Sequence, residues 1–81
     1  RDAYLRGADL RDAYLRGVLL WNADLTHADL TNADLTNSYL QYTDLKWADF
    51  EEATVTDANF DGSYWYQTTW TDGERYDSNQ S

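Results

Sequence analysis

From Leu5 to Trp70 a leucine or another large apolar residue stands at every fifth position without a slip, and few folds accommodate that period. Nine leucines, Leu5 to Leu45, are followed by Phe50, Val55, Phe60, Trp65 and Trp70, which makes fourteen units. Two residues before each centre sits a small residue, mostly alanine, with Val18, Ser38, Thr43, Ser63 and Thr68 as the variants. On an α-helix, steps of five residues advance by about 140° and scatter the centres around the whole cylinder. On one straight strand an odd period sends successive centres to opposite faces. Neither element can bury them, so the chain has to turn within every unit.

A three-residue strand, small-x-Leu, points its small residue and its leucine to one side, and the next two residues carry a corner. Repetition closes the chain into a coil. Stacking coils about 4.8 Å apart pairs their backbones and builds interior ladders of leucine and alanine. Alanine fits because such an interior is narrow. Each buried apolar side chain contributes about 1.5–3 kcal/mol, and these columns are how so polar a chain offsets its ordering entropy. Other staples are missing: the 81 residues include no cysteine, which excludes disulfides and cysteine-ligated zinc. The longest apolar run, Val18-Leu19-Leu20-Trp21, is four residues, far short of the ~20 that cross a bilayer as a helix.

The units Ala8-Asp9-Leu10, Ala23-Asp24-Leu25, Ala28-Asp29-Leu30, Ala33-Asp34-Leu35 and Ala48-Asp49-Phe50 resemble the A(D/N)LXX signature of the pentapeptide-repeat family. The resemblance runs over residues 1 to about 70. It implies an all-β fold, a right-handed four-sided parallel β-helix with four repeats per coil, hence about 3.5 coils. Departures fall at the outward middle position, where Tyr4, Tyr14, Leu19, Tyr39, Thr54, Tyr64 and Thr69 replace Asp or Asn. Residues 1–70 are read as the solenoid. Residues 71–81 are read as a C-terminal cap and polar tail, with the tryptophan rings closing the last coil and residues 77–81 mobile. No comparable cap precedes Asp2. Arg1 falls inside a repeat, which fits a processed chain or a piece of a longer one, and the compartment stays open.

The net charge of −9 opposes direct nucleic-acid binding, which needs clustered Lys and Arg, and points to neutral or basic partners. Residues 1–20 carry four arginines against three acids, whereas residues 21–70 carry nine acids against Lys46 alone. With four faces, outward positions twenty apart stack, so Asp9, Asp29 and Asp49 form an acidic stripe. Its functional reading is a site for a basic partner or a hard cation. Its structural reading, locally bonded solvated carboxylates, is favoured, because three ligands in a row do not wrap an ion that takes 6–8 oxygens. A second surface is aromatic: Leu19, Trp21, Tyr39, Gln41 and Tyr42 are expected on the fourth face and its following corner, with Tyr4 and Tyr64 on the adjoining face. Such patches mark interaction sites, although aromatics also tile β surfaces. His27 and Trp47 are expected to stack at another corner as packing.

Some members of the family look like B-DNA and bind topoisomerases in its place. Here residues 1–70 carry twelve acids and five bases, net −7. Over an axis of about 17 Å this is about 2.4 Å per charge against ~1.7 Å for DNA, but that length matches only about five base pairs. No catalytic apparatus is legible. His27 is the only histidine, and Ser38 and Ser63 sit at inward positions, where their hydroxyls are expected to bond backbone. Glu51 and Glu52 are paired, but a flat wall offers them no pocket. No metal site, cofactor or small-molecule substrate is expected. Asn79-Gln80-Ser81 fits a glycosylation sequon as a short tail match. The leading expectation is a non-enzymatic scaffold that binds a protein partner. The alternatives are topoisomerase inhibition by DNA mimicry and self-assembly through the first coil.

Overall fold

The computed structural model describes residues 2–81 and contains no helix among them. Its backbone is a stack of square coils. Middle residues twenty apart form parallel bridges, which define four walls: Tyr4-Asp24-Asp44-Tyr64, Asp9-Asp29-Asp49-Thr69, Tyr14-Asp34-Thr54 and Leu19-Tyr39-Asn59. These are walls 1 to 4. Leucines 25 to 45 are fully buried, as are Phe50 and the alanines at 28, 33 and 48, so the interior ladders run as the five-residue period requires. The described residues measure 25 × 22 × 20 Å along their principal axes.

One unit shows why the coil holds together, since all five of its N–H groups find an acceptor. In Ala28-Asp29-Leu30-Thr31-Asn32, Ala28 donates to Leu25 O across the corner at 2.9 Å and Asp29 donates down to Ala8 O at 2.9 Å. Leu30 and Asn32 donate up to Asp49 O and Glu51 O at 2.7 and 3.1 Å. The fifth, the Thr31 N–H, donates to the Asp29 Oδ1 at 3.1 Å, and the Thr31 hydroxyl donates to the same oxygen at 2.6 Å. All seven Asp or Asn residues at middle positions serve their first corner residue in this way: 9, 24, 29, 34, 44, 49 and 59. The repeat therefore favours Asp or Asn there because a peptide N–H would otherwise lack a partner.

Corners add a second local rule. The second corner residue has φ between +49° and +72° in every unit from Gly7 to Gln67, and the residue after it donates back across the turn in most of them. A hydrogen-bonded turn with positive φ at its third residue is the type II pattern, which suits Gly and Asn. Tyr42, Trp47 and Glu52 adopt it despite their bulk.

After Trp70 the register changes. Positive φ moves to Gly73, and β2 (Arg75–Tyr76) pairs antiparallel with β1 (Thr68–Thr69), Thr68 opposite Tyr76. Beneath this hairpin the rings of Phe50, Phe60, Trp65 and Trp70 pack at centroid distances of 4.8–6.4 Å. The tail expected to be mobile is tied back: Asp77 Oδ1 accepts from the Gln67 N–H at 2.8 Å, and Asn79 Nδ2 donates to Phe60 O at 2.9 Å. At the opposite end Leu5, Leu10 and Leu15 are only half-buried, whereas the later leucines are sealed.

Candidate interaction surface

Wall 4 and its following corner gather five of the seven residues expected at the aromatic surface. Leu19 and Tyr39 are bridged neighbours on the wall, with Asn59 above them. The corner stacks Trp21, Gln41 and Asp61, one per coil, through the bonds Asn22 N–H to Gln41 O and Tyr42 N–H to Asp61 O. Exposure is high for such side chains: Leu19 55%, Trp21 40%, Tyr39 44% and Tyr42 58%. Tyr4 and Tyr64 share wall 1 but stand at its two ends, separated by Asp24 and Asp44, so the structure does not bring them together.

The corner is not flat. Trp21, Gln41, Tyr42, Asn59 and Asp61 line a concavity of about 340 Å³. A neighbouring one of about 400 Å³, lined by Asp57, Ala58, Asn59, Phe60, Asp61 and Ser81, lies on the C-terminal side. The Tyr42 ring lies over Gly62, one coil above, where a Cβ would meet Tyr42 Cδ1 at 2.5 Å. Gln41, one of its lining residues, has its Oε1 buried with no hydrogen-bond donor in reach. An unsatisfied buried acceptor costs about 1–3 kcal/mol. The carboxyl of Asp61 makes no ion pair with any described residue, and the Asp61 N–H is held by Asn59 Oδ1 at 2.9 Å.

This wall also departs from the hydrogen-bonding rule of the repeat. Tyr39 stands where Asp would serve the next corner, and its phenol gives the Gln41 N–H no such acceptor. One backbone hydrogen bond, about 0.5–1.5 kcal/mol, is given up there. The same departure recurs at Tyr4, Tyr14 and Tyr64 on the other walls.

The acidic stripe is placed in one column as expected, Asp9 bridged to Asp29 and Asp29 to Asp49. Its carboxylates are engaged locally. Arg11 pairs with Asp9 at 2.7 Å and approaches Asp29 at 3.9 Å, while Asp49 Oδ1 accepts from the Glu51 N–H. Hydrogen bonding from the Arg11 side chain lowers the Asp9 pKa to about 2. The Thr36 hydroxyl and then Arg16 lower Asp34 to about 2, and the Thr26 hydroxyl depresses Asp24. No cluster of three or more metal-ligating side chains occurs among the described residues. Arg6, Arg11, Arg16 and Lys46 all face wall carboxylates, whereas Glu51, Glu52, Asp57 and Asp61 make no ion pair with any described residue. The acidic excess therefore lies toward the C-terminal end, with Asp57 and Asp61 at the two concavities and Glu51 and Glu52 on the corner after wall 2.

At the corner between walls 1 and 2, His27 and Trp47 stack as expected, 5.0 Å apart and 3° from parallel, and Tyr66 meets Trp47 edge-on at 5.5 Å. Ser63 bonds Phe60 O at 2.7 Å as expected, whereas the Ser38 hydroxyl is buried without a partner, contrary to expectation. No described helix is long and apolar enough to cross a membrane. Two features escaped the sequence reading. The left-handed corners were signalled by the recurrence of Gly, Asn or Asp at 2, 7, 12, 17, 22, 32, 37, 57 and 62. The hollow had no such signal, because Trp21, Gln41 and Asp61 reach it from three successive coils.

A family model described as pentapeptide repeats matches in eight copies over residues 3–41 and 28–64. Among solved structures, the chain is similar to a pentapeptide repeat protein (Rfr23) from the cyanobacterium Cyanothece 51142. That match has a TM-score of 0.85 at 25% identity and covers 86% of this chain and 48% of that one, so this chain spans about half its length. A pentapeptide repeat protein from Nostoc PCC 7120 matches at 24% identity over 100% of this chain and 75% of that one, TM-score 0.43. No curated protein matches the chain. The four-sided stack described above is the right-handed quadrilateral β-helix of these proteins.

Proposed function

The chain belongs to the pentapeptide-repeat family, and on that premise we propose that it is a non-enzymatic scaffold that seats a protein partner on wall 4 and its following corner. One observation carries this reading: Leu19, Trp21, Tyr39 and Tyr42 are exposed together around a hollow, at the cost of a corner hydrogen bond that Asp at position 39 would make. Exposed aromatic patches with a concave centre are typical of interaction sites. The paired walls offer less, since their carboxylates already hold corner N–H groups and arginines.

The test replaces both tyrosines, Tyr39→Ser and Tyr42→Ser, and compares the two proteins as immobilised baits against the same extract. Loss of specific retained proteins, with unchanged circular dichroism and melting temperature, supports the surface. Equal retention by both baits removes it.

A second reading is self-association through the first coil, favoured by the half-buried Leu5, Leu10 and Leu15 there. Light scattering that stays monomeric across concentration dismisses it. DNA mimicry draws less support from these residues, whose longest dimension of 25 Å spans only about seven base-pair steps. A gyrase supercoiling assay without effect at micromolar protein excludes it.

A further inference from the structure

We infer that Asp61–Gly62 is a site of slow covalent modification, where the chain passes through a cyclic imide and becomes isoaspartyl, while the identical step Asp72–Gly73 stays intact. These are the two Asp-Gly steps of the sequence; every other aspartate precedes Ala, Leu, Phe or Ser, whose side chains crowd the attacking nitrogen. In the reaction Gly62 N forms a bond to Asp61 Cγ, and the amide proton leaves with one carboxyl oxygen as water. A second water opens the five-membered ring. Attack at Cγ restores aspartate, whereas attack at the backbone carbonyl carbon leaves the main chain running through Cβ and Cγ. Water is the sole co-reactant, and no electrons are exchanged.

The fold separates the two steps. At Asp72 both carboxylate oxygens are engaged, Oδ1 by the Glu74 N–H at 3.0 Å and Oδ2 by the Tyr76 hydroxyl at 2.6 Å. The Gly73 N–H is held by Trp70 O at 3.0 Å, within the segment that β1 and β2 close. Asp61 is exposed, and its carboxylate has neither a hydrogen bond nor an ion pair with any described residue. It lines both concavities, so the side chain has room to turn and water reaches the ring. Gly62 also departs from the rule of its column. Its equivalents Asn22 and Tyr42 donate to Gln41 O and Asp61 O in the coil above, whereas the Gly62 N–H has no acceptor among the described residues. A type II corner sets the Asp61 ψ near about +120°, which holds Gly62 N away from Cγ, so the peptide must rotate before the ring closes. Rotation breaks one hydrogen bond, Tyr42 N–H to Asp61 O at 2.9 Å, and glycine accepts the φ of the rotated form. The isoaspartyl product keeps its charge, adds a methylene to the corner and loses the carbonyl that Tyr42 N–H held. That corner borders the proposed partner surface, but the chemistry stands whether or not a partner binds there.

The experiment ages the full chain, folded, in warm heavy-oxygen water at neutral pH until a parallel sample in concentrated urea is half converted. Peptides spanning 61 and 72 are then compared by mass spectrometry with electron-transfer fragmentation, which distinguishes isoaspartate from aspartate. In the folded chain isoaspartate carrying one heavy oxygen is expected at 61. It should exceed that at 72 about twenty-five-fold, because two more hydrogen bonds must break at Asp72–Gly73, at about fivefold each. In urea the two steps should react at equal rates. The Tyr42 amide should lose hydrogen-exchange protection in proportion to the isoaspartate formed. Asp61→Glu, whose longer side chain would have to close a six-membered ring, should abolish the label at this step and leave the melting temperature unchanged. Four results would each overturn the inference: equal conversion at 61 and 72 in the folded chain, faster conversion at 72, no label at 61 once the urea sample is half converted, or an excess at 61 that persists in urea.

Discussion

Gly17 and Gly62 occupy the same place in the repeat but different surroundings, so alanine at each separates a backbone effect from a side-chain one. Both have left-handed φ, +68° and +72°. Alanine in that region costs about 1–2 kcal/mol, of which about 0.4–1 kcal/mol is returned by the smaller entropy of the unfolded chain. Gly17 has nothing within 4 Å of a built Cβ, so Gly17→Ala should lose about 1 kcal/mol, a fall of about 4–8 °C in Tm. At Gly62 the new methyl also meets the Tyr42 ring at 2.4–2.5 Å, and the ring must swing away. Tyr42 is 58% exposed, so about 85 Å² of a possible ~200 Å² is covered, about 2 kcal/mol at about 25 cal/mol/Å². Losing half of that contact brings Gly62→Ala to about 2 kcal/mol in all. Urea melts followed by tryptophan fluorescence would measure both variants alone and with Tyr42→Ser. In the Tyr42→Ser background the excess at Gly62 should vanish, leaving the two glycines equal. Equal losses in the parent chain, or an excess that survives without the ring, would refute the packing of the Tyr42 ring on Gly62.

Three further outcomes are expected. Ser38→Ala should stabilise the chain by about 1 kcal/mol or more, because it removes a buried hydroxyl with no partner; a lower urea midpoint would contradict this. The carboxyls of Asp9, Asp34, Asp24 and Asp72 titrate below their ordinary value of 3.8, Asp72 held down by the Tyr76 hydroxyl. Depressed carboxyls stabilise the fold fully above 3.8 and lose that contribution as pH falls toward about 2, so the urea midpoint should drop over this window. A flat profile there would falsify the pairing argument. Trp70→Ala removes a ring from the cluster under the terminal hairpin and should cost about 3–5 kcal/mol, read as a lower denaturation midpoint with loss of the β1–β2 pairing in hydrogen exchange. A loss below about 1 kcal/mol would mean that these rings do not cap the last coil.

Much of the molecule is legible in its sequence because a strict period is a statement about local geometry repeated fourteen times. The inward columns follow from the failure of helix and straight strand to bury residues at 5, 10 and 15. Stacking at twenty residues follows once four sides are granted by family likeness. From these two steps alone Leu19 and Tyr39 share a wall, Trp21, Gln41 and Tyr42 share a corner, and Asp9, Asp29 and Asp49 share a column.

What remained for the tertiary structure was everything that depends on the direction and depth of individual side chains. Column membership says that Asp29 lies above Asp9, but only the fold shows their carboxylates committed to Arg11 and to the corner N–H groups. It likewise places Ser38 inside without showing that no acceptor waits there. The hollow is the clearest case. A ring held in left-handed backbone, a glycine one coil above it and a glutamine oxygen left without a donor come together only when coils stack, and no spacing in one dimension encodes that meeting.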